Sequence, residues 1–155
     1  MKKINFPKIT IGADHRGFKL KEKIKVFLKA KGFSVKDAGA FSEESCDYPK
    51  IAFKVGKDVA GSQNRKGILI CGSGIGDSIA ANKVKGVRAA LCYNIKAARL
   101  SRLHNDANVL VLGSVFVKEK SAKKIIEVWL KTEFEGGRHQ RRLNHIRRFE
   151  ENCCK

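Results

Sequence analysis

Three features of this 155-residue chain are equipped to do chemistry: a cysteine at the end of an apolar run, a histidine followed by asparagine and aspartate, and two arginines four residues apart. Cys71 closes Gly67-Ile68-Leu69-Ile70-Cys71 and opens Gly72-Ser73-Gly74-Ile75-Gly76. Such a turn can present several backbone N–H groups, and a helix beginning near Asp77 adds its positive end, a combination that suits an oxyanion or a developing enediolate. A thiolate beside it could take a proton from carbon. The turn is neither a complete dinucleotide fingerprint nor a Walker loop, and a tight structural turn accounts for it equally well. Arg138 and Arg142 stand at i and i+4, which puts both guanidinium groups on one helix face for bidentate contact. Each residue also has an ordinary use: Cys71 as a small core residue, Ser73 in a turn, His104 as a cap or surface residue, the arginines on a solvated basic helix.

The hydropathy pattern supplies a frame for them. Short β-rich runs alternate with helical patterns, the sequence form of a parallel sheet crossed by helices. Strands are predicted at Ile9–Ile11, from Phe33 to Val35, at Gly67–Cys71, Val87–Leu91 and Val109–Leu112. Helices are predicted over 17–31, from Pro49 to about Ala60, over 76–83, near 95–103, over 119–131 and from Arg138 to Glu151. The expected architecture is one three-layer α/β/α Rossmann-like domain over residues 1–155, with five mainly parallel strands and a C-terminal helix able to pack on another subunit. Ligands gather at the carboxyl ends of such strands. Gly12-Ala13-Asp14-His15-Arg16-Gly17 and the Cys71 turn fall there. Leu103-His104-Asn105-Asp106 precedes the last strand from the opposite side, so it joins them only through a neighbouring subunit or an unusually placed loop.

Composition narrows the class. Thirty-three basic against 15 acidic side chains give a formal charge of +18, and 43% apolar residues supply a core that a disordered basic tail would lack. No apolar run approaches the roughly twenty residues of a membrane span, and the N-terminus breaks at Pro7 before a signal-peptide core develops. The five cysteines, at 46, 71, 92, 153 and 154, lack the paired spacing of a zinc site or disulfide scaffold, so reduced thiols are expected. Residues 1–36 carry eleven basic and two acidic side chains. Lys19, Lys21, Lys23, Lys25, Lys29 and Lys31 are expected to form a solvated helix face.

Five separated blocks together resemble the type-B ribose/galactose-6-phosphate isomerase family. They are Gly12–Gly17, Asp47-Tyr48-Pro49, Ile70–Gly76 with Ser78–Lys83, His104–Leu110, and Glu135-Gly136-Gly137-Arg138-His139-Gln140. The resemblance runs from about residue 8 to residue 150. It implies a cytoplasmic enzyme of the pentose phosphate pathway that interconverts ribose 5-phosphate and ribulose 5-phosphate without metal or organic cofactor. Cys71 is similar to the family's base, which moves a proton between C2 and C1, and a nearby helix N-terminus is expected to favour its thiolate. Ser73 and the amides of Gly72, Gly74, Ile75 and Gly76 would hold the C1 and C2 oxygens. His104 matches a ring-opening histidine, with Asn105 beside it. Asp14 would meet a sugar hydroxyl or ring oxygen, His15 the phosphate, Tyr48 the sugar, and Arg138 and Arg142 the phosphate. Because the His104 segment reaches the other subunit's site in that family, a homodimer or dimer of dimers is implied, with a sugar phosphate as the small-molecule partner and neither membrane nor nucleic acid expected.

Two departures bear on this. Val115 stands where a further phosphate-contacting arginine is usual, leaving that contact absent or supplied by Lys118. Asp77 occupies the place where another branch has a glutamate base; it reads as an auxiliary base or, more simply, as an acid at a helix N-terminus. A six-carbon sugar phosphate is the competing substrate, and a non-catalytic basic module binding RNA or another polyanion is the competing class.

Overall fold

Consecutive residues of the apolar runs face opposite sides of a sheet that is covered on both. In the computed structural model, which describes residues 6–153, Ile68 and Ile70 join one core cluster and Leu69 the other. Leu110 and Leu112 likewise face away from Val109 and Val111. The strands are β1 (Lys8–Ala13), β2 (Val35–Asp37), β3 (Arg65–Cys71), β4 (Ala89–Leu91) and β5 (Val109–Gly113). All pair in parallel in the order β2-β1-β3-β5-β4. The direction of winding reverses between β1 and β3, and the carboxyl ends of those two strands are where sheets of this kind bind ligands.

The helices are α1 (Phe18–Ala30), α2 (Tyr48–Ala60), α3 (Ile75–Ala81), α4 (Ile95–Asn105), α5 (Glu119–Lys131) and α6 (Arg138–Cys153). Leu20, Ile24 and Leu28 of α1 and Ile125, Ile126 and Trp129 of α5 cover one face of the sheet. Ala52, Val55 and Val59 of α2, with Ala80 and Ala81 of α3, cover the other. The predicted three-layer fold is the observed one. Its N- and C-terminal residues, including Cys154, lie outside the described residues, while Cys46, Cys71, Cys92 and Cys153 are free thiols.

One expectation fails on α1. Lys21 is not solvated: its side chain is wholly buried, and its Nζ donates to both Asp37 oxygens and to the Ala40 carbonyl, each at 2.7 Å. A buried ammonium persists only with such partners, and here they anchor the helix to the end of β2. Lys25 joins the same Asp37.

Candidate active site

The carboxyl ends of β1 and β3 bring together most of the predicted residues. β3 runs straight into the Cys71 turn, which reverses at Gly74 (φ 85°), the N-cap of α3. The left-handed backbone favours glycine at this position, and an added Cβ would also stand 2.4 Å from Leu91 Cδ1 and displace that side chain. Three successive carbonyls of this turn are tied from outside: Ser114 N donates to Cys71 O (2.8 Å), Val115 N to Gly72 O (3.1 Å), and Tyr93 Oη to Ser73 O (2.9 Å). Two of the expected anion-holding amides are engaged within the turn. Gly74 N–H points at Cys71 Sγ (3.1 Å), and Ile75 N–H donates to Ser73 Oγ (3.2 Å).

Cys71 is 4% exposed. Burial pushes its thiol up to about 12, the Asp77 carboxylate adds to the shift, and the amides of Asp77 and Gly74 oppose it without winning. The expected thiolate is therefore not the resting state. The short α3 supplies a few amides, and desolvation with two carboxylates outweighs them.

Asp77 is 1% exposed, and among the described residues neither of its oxygens has a hydrogen-bond partner. Burial, then the charge of Asp14, raises its carboxyl to about 7, with the Cys71 thiol alone acting the other way. Stabilisation by the helix end does not govern this residue. The sequence shows the aspartate but not the burial, which arises because α3 turns it inward beneath the Cys71 loop.

Asp14 is buried at the end of β1 and accepts from Gly17 N–H at 2.9 Å. His15 Nδ1 accepts from Cys46 N–H at 3.3 Å, leaving Nε2 as the other ring position. The Tyr48 ring lies against Gly76, where an added Cβ would meet its Cζ at 2.6 Å. Arg16, which the sequence reading did not single out, lays its guanidinium against Gly72, and an added Cβ there would meet its Cζ at 2.9 Å. Val115 is exposed in the following turn.

The remaining predicted residues form a second cluster. His104 and Asn105 end α4, on the side of the sheet from which β5 begins, and Arg138 and Arg142 lie exposed on α6. The His104 ring stacks on His139 with centroids 4.3 Å apart and an interplanar angle of 12°. Glu135 Oε2 stands 3.8 Å from Nε2 of each histidine. The chain alone does not bring this cluster to Cys71, as the strand order requires. A cavity of about 610 Å³, lined by Arg65, Lys66, Arg88 and Glu150 among others, contains none of the predicted residues.

Fold and site together define a Rossmann-like protein with a buried thiol and carboxylate under a glycine-rich turn at the carboxyl end of β3. Residues 9–146 match the family model described as Ribose/Galactose Isomerase, and the chain belongs to that family. It is 49% identical over 144 residues to ribose-5-phosphate isomerase B of Escherichia coli, an alignment covering 93% of this chain and 97% of that protein. A solved structure of ribose-5-phosphate isomerase B from Clostridium thermocellum superposes with a TM-score of 0.90 at 50% identity, covering 94% of this chain and 98% of that one. The Mycoplasma genitalium enzyme, solved with bound ribulose-5-phosphate, matches with a TM-score of 0.90 at 49% identity, covering 93% and 96%.

Proposed function

We propose that this chain is an aldose–ketose isomerase interconverting ribose 5-phosphate and ribulose 5-phosphate, with Cys71 and Asp77 as the proton-transfer pair. The observation that carries the roles is the burial of a thiol at the end of β3 together with a carboxylate in the first turn of α3 that has no hydrogen-bond partner among the described residues. At pH above about 7 the pair holds one proton, resting on sulfur, and one negative charge, resting on Asp77. Passing the thiol proton to Asp77 leaves a thiolate able to remove hydrogen from C2 of the open aldose. The C2–H electrons then form the C1–C2 double bond while the carbonyl electrons move to O1. Returning the proton to C1 and restoring a carbonyl at C2 completes the ketose, with the O2 proton transferred to O1.

Negative charge on O1 and O2 is held by Ser73 and the turn's amides; release of Gly74 N–H from sulfur makes that donor available as charge moves onto substrate. Asp14 and Tyr48 border the sugar, and His15 faces the phosphate with Arg138 and Arg142. Arg16 adds a cation beside Gly72. His104, with Asn105 adjoining, opens the furanose ring.

The two clusters complete one site when a second copy supplies the His104 side, so a homodimer or dimer of dimers is the active form. Ile75 and Ile79 on α3, and Phe116 after β5, are 52%, 59% and 61% exposed and give such a copy an apolar face. We place the enzyme in the cytoplasm on its kinship with sugar-phosphate isomerases; among the described residues no helix is long and apolar enough to cross a membrane. Pairing of Lys19 with Glu43, Lys23 with Glu119 and Lys31 with Glu127 argues against a polyanion surface on α1.

The test is exchange of the C2 proton with deuterated solvent. Ribose 5-phosphate should exchange and turn over, and Cys71→Ala should reduce both by at least about a hundredfold while phosphate-analogue binding persists. Unaltered exchange in Cys71→Ala would reject Cys71 as the base. Equal or faster turnover of a six-carbon aldose phosphate in parallel would move the substrate to that class.

A further inference from the structure

We propose that His104, Glu135 and His139 form a binding site for a zinc-like divalent transition metal, and that its occupation reversibly takes His104 out of proton exchange. The inhibitory half rests on the role proposed for His104; the metal site does not.

The geometry carries the site. One ligand atom from each residue lies within 4.8 Å of those of the other two, and Glu135 Oε2 is 3.8 Å from both Nε2 atoms. A tetrahedral zinc ion with bonds of about 2.0–2.1 Å needs its ligand atoms about 3.3 Å apart, so side-chain rotation of the histidines must close the triangle. Backbone contacts hold the three segments in place. Glu135 N–H donates to Leu103 O at 3.0 Å, tying the loop before α6 to the end of α4, and His139 N–H donates to Gly136 O at 3.0 Å. Nε2 of both histidines already lies near the same carboxylate oxygen, and because an imidazole binds metal in its ring plane, the stacked rings must splay apart to share one ion.

Two imidazoles and one carboxylate are the donor set of open zinc sites, with a remaining position for water. Magnesium and calcium prefer oxygen ligands and do not suit it. Arg138 Nε contacts His139 Nε2 at 3.5 Å and must release that nitrogen when metal enters. A metal on His104 takes a lone pair that accepting a proton requires, so ring opening stops while the C2 chemistry at Cys71 keeps its residues.

Cobalt(II) chloride titrated into the full-length protein reads the site without reference to turnover. Visible bands of cobalt bound by nitrogen and oxygen are expected, without the near-ultraviolet thiolate band that Cys71 or the tail cysteines would produce. Glu135→Gln, at an exposed position, and separately His139→Gln should each weaken cobalt binding by about tenfold or more. In parallel, zinc should inhibit ribose 5-phosphate turnover, a chelator should restore it, and magnesium should do neither. The ratio of rates with and without zinc should approach one in Glu135→Gln, whatever that variant's own rate. Unchanged cobalt affinity in both variants, or a dominant thiolate band, would overturn the site. Cobalt bound by nitrogen and oxygen with wild-type turnover undiminished would overturn the inhibition. A protein that binds cobalt but turns over no sugar phosphate even when metal-free would instead sink the isomerase reading.

Discussion

At the scale of single residues, the buried pair below the glycine turn has measurable consequences at equilibrium and in reactivity. Asp77 titrates near 3.8 when free and near 7 in the fold, so its ionisation destabilises the protein as pH climbs between those values. Asp77→Asn should therefore match the wild type in stability near pH 4 and gain on it up to about pH 7, by a few kcal/mol at most, with no further gain above. Denaturant midpoints across that pH range, compared between the two proteins, measure the difference. The same substitution removes a charge that holds the Cys71 thiol up, so alkylation of Cys71 at pH 8 should be slow in the wild type and faster in the variant. Peptide mapping separates it from exposed Cys153, and bound substrate should protect Cys71 alone. None of this was readable from the order of residues. Cys71 and Asp77 could be named, but their resting charges depend on depth and on Asp14, which arrives from another strand.

Secondary-structure elements meet at glycines where no side chain fits. Gly17, at the head of α1, lies against β3, and an added Cβ would stand 1.9 Å from the Ile70 carbonyl oxygen. Backbone cannot yield there as a side chain would. Gly17→Ala should lower stability by about 2–3 kcal/mol or more, seen as an earlier denaturant midpoint, with the Asp14–Gly17 turn displaced. The strands and helices themselves were largely legible. Unbroken runs such as Ile68-Leu69-Ile70 announce burial on both faces, and Gly32 and Pro49 mark helix boundaries. Lys21 was not legible, because what decides its burial is Asp37, sixteen positions away and on a different element. The separation of His104 from Cys71 was legible, since a residue just before β5 and one just after β3 lie at opposite ends of parallel strands.

For the molecule as a whole, the proposed roles of Cys71 and His104 together with that separation require a site assembled from two copies of the chain. His104→Asn should slow turnover of ribose 5-phosphate, which is mostly cyclic, far more than turnover of the ketose, which has no such ring to open. Mixing inactive Cys71→Ala with inactive His104→Asn under subunit exchange should restore activity. In a dimer whose sites draw one half from each chain, half of randomly mixed dimers are heterodimers with one fully native site of two, so about a quarter of wild-type activity is expected. Heterodimers that form without recovering activity would place both residues in one chain's site or deny His104 a role.

Tyr93 spends its hydroxyl on the Ser73 carbonyl and packs its ring against Phe116 in a tilted arrangement, centroids 4.8 Å apart and planes at 48°. With Ser114 and Val115 holding the two preceding carbonyls, each peptide plane of the turn is oriented before any sugar arrives. Water in bulk must rotate its dipoles to meet a new negative charge; this turn has completed that rotation during folding. Loosening one tie should therefore leave ground-state affinity alone and appear in the rate at which charge develops. Tyr93→Phe, which keeps the ring and frees one carbonyl, should lower kcat severalfold with KM and melting temperature little changed. Its rate should also fall more steeply on cooling, as dipoles once fixed by the chain must be aligned anew in every turnover.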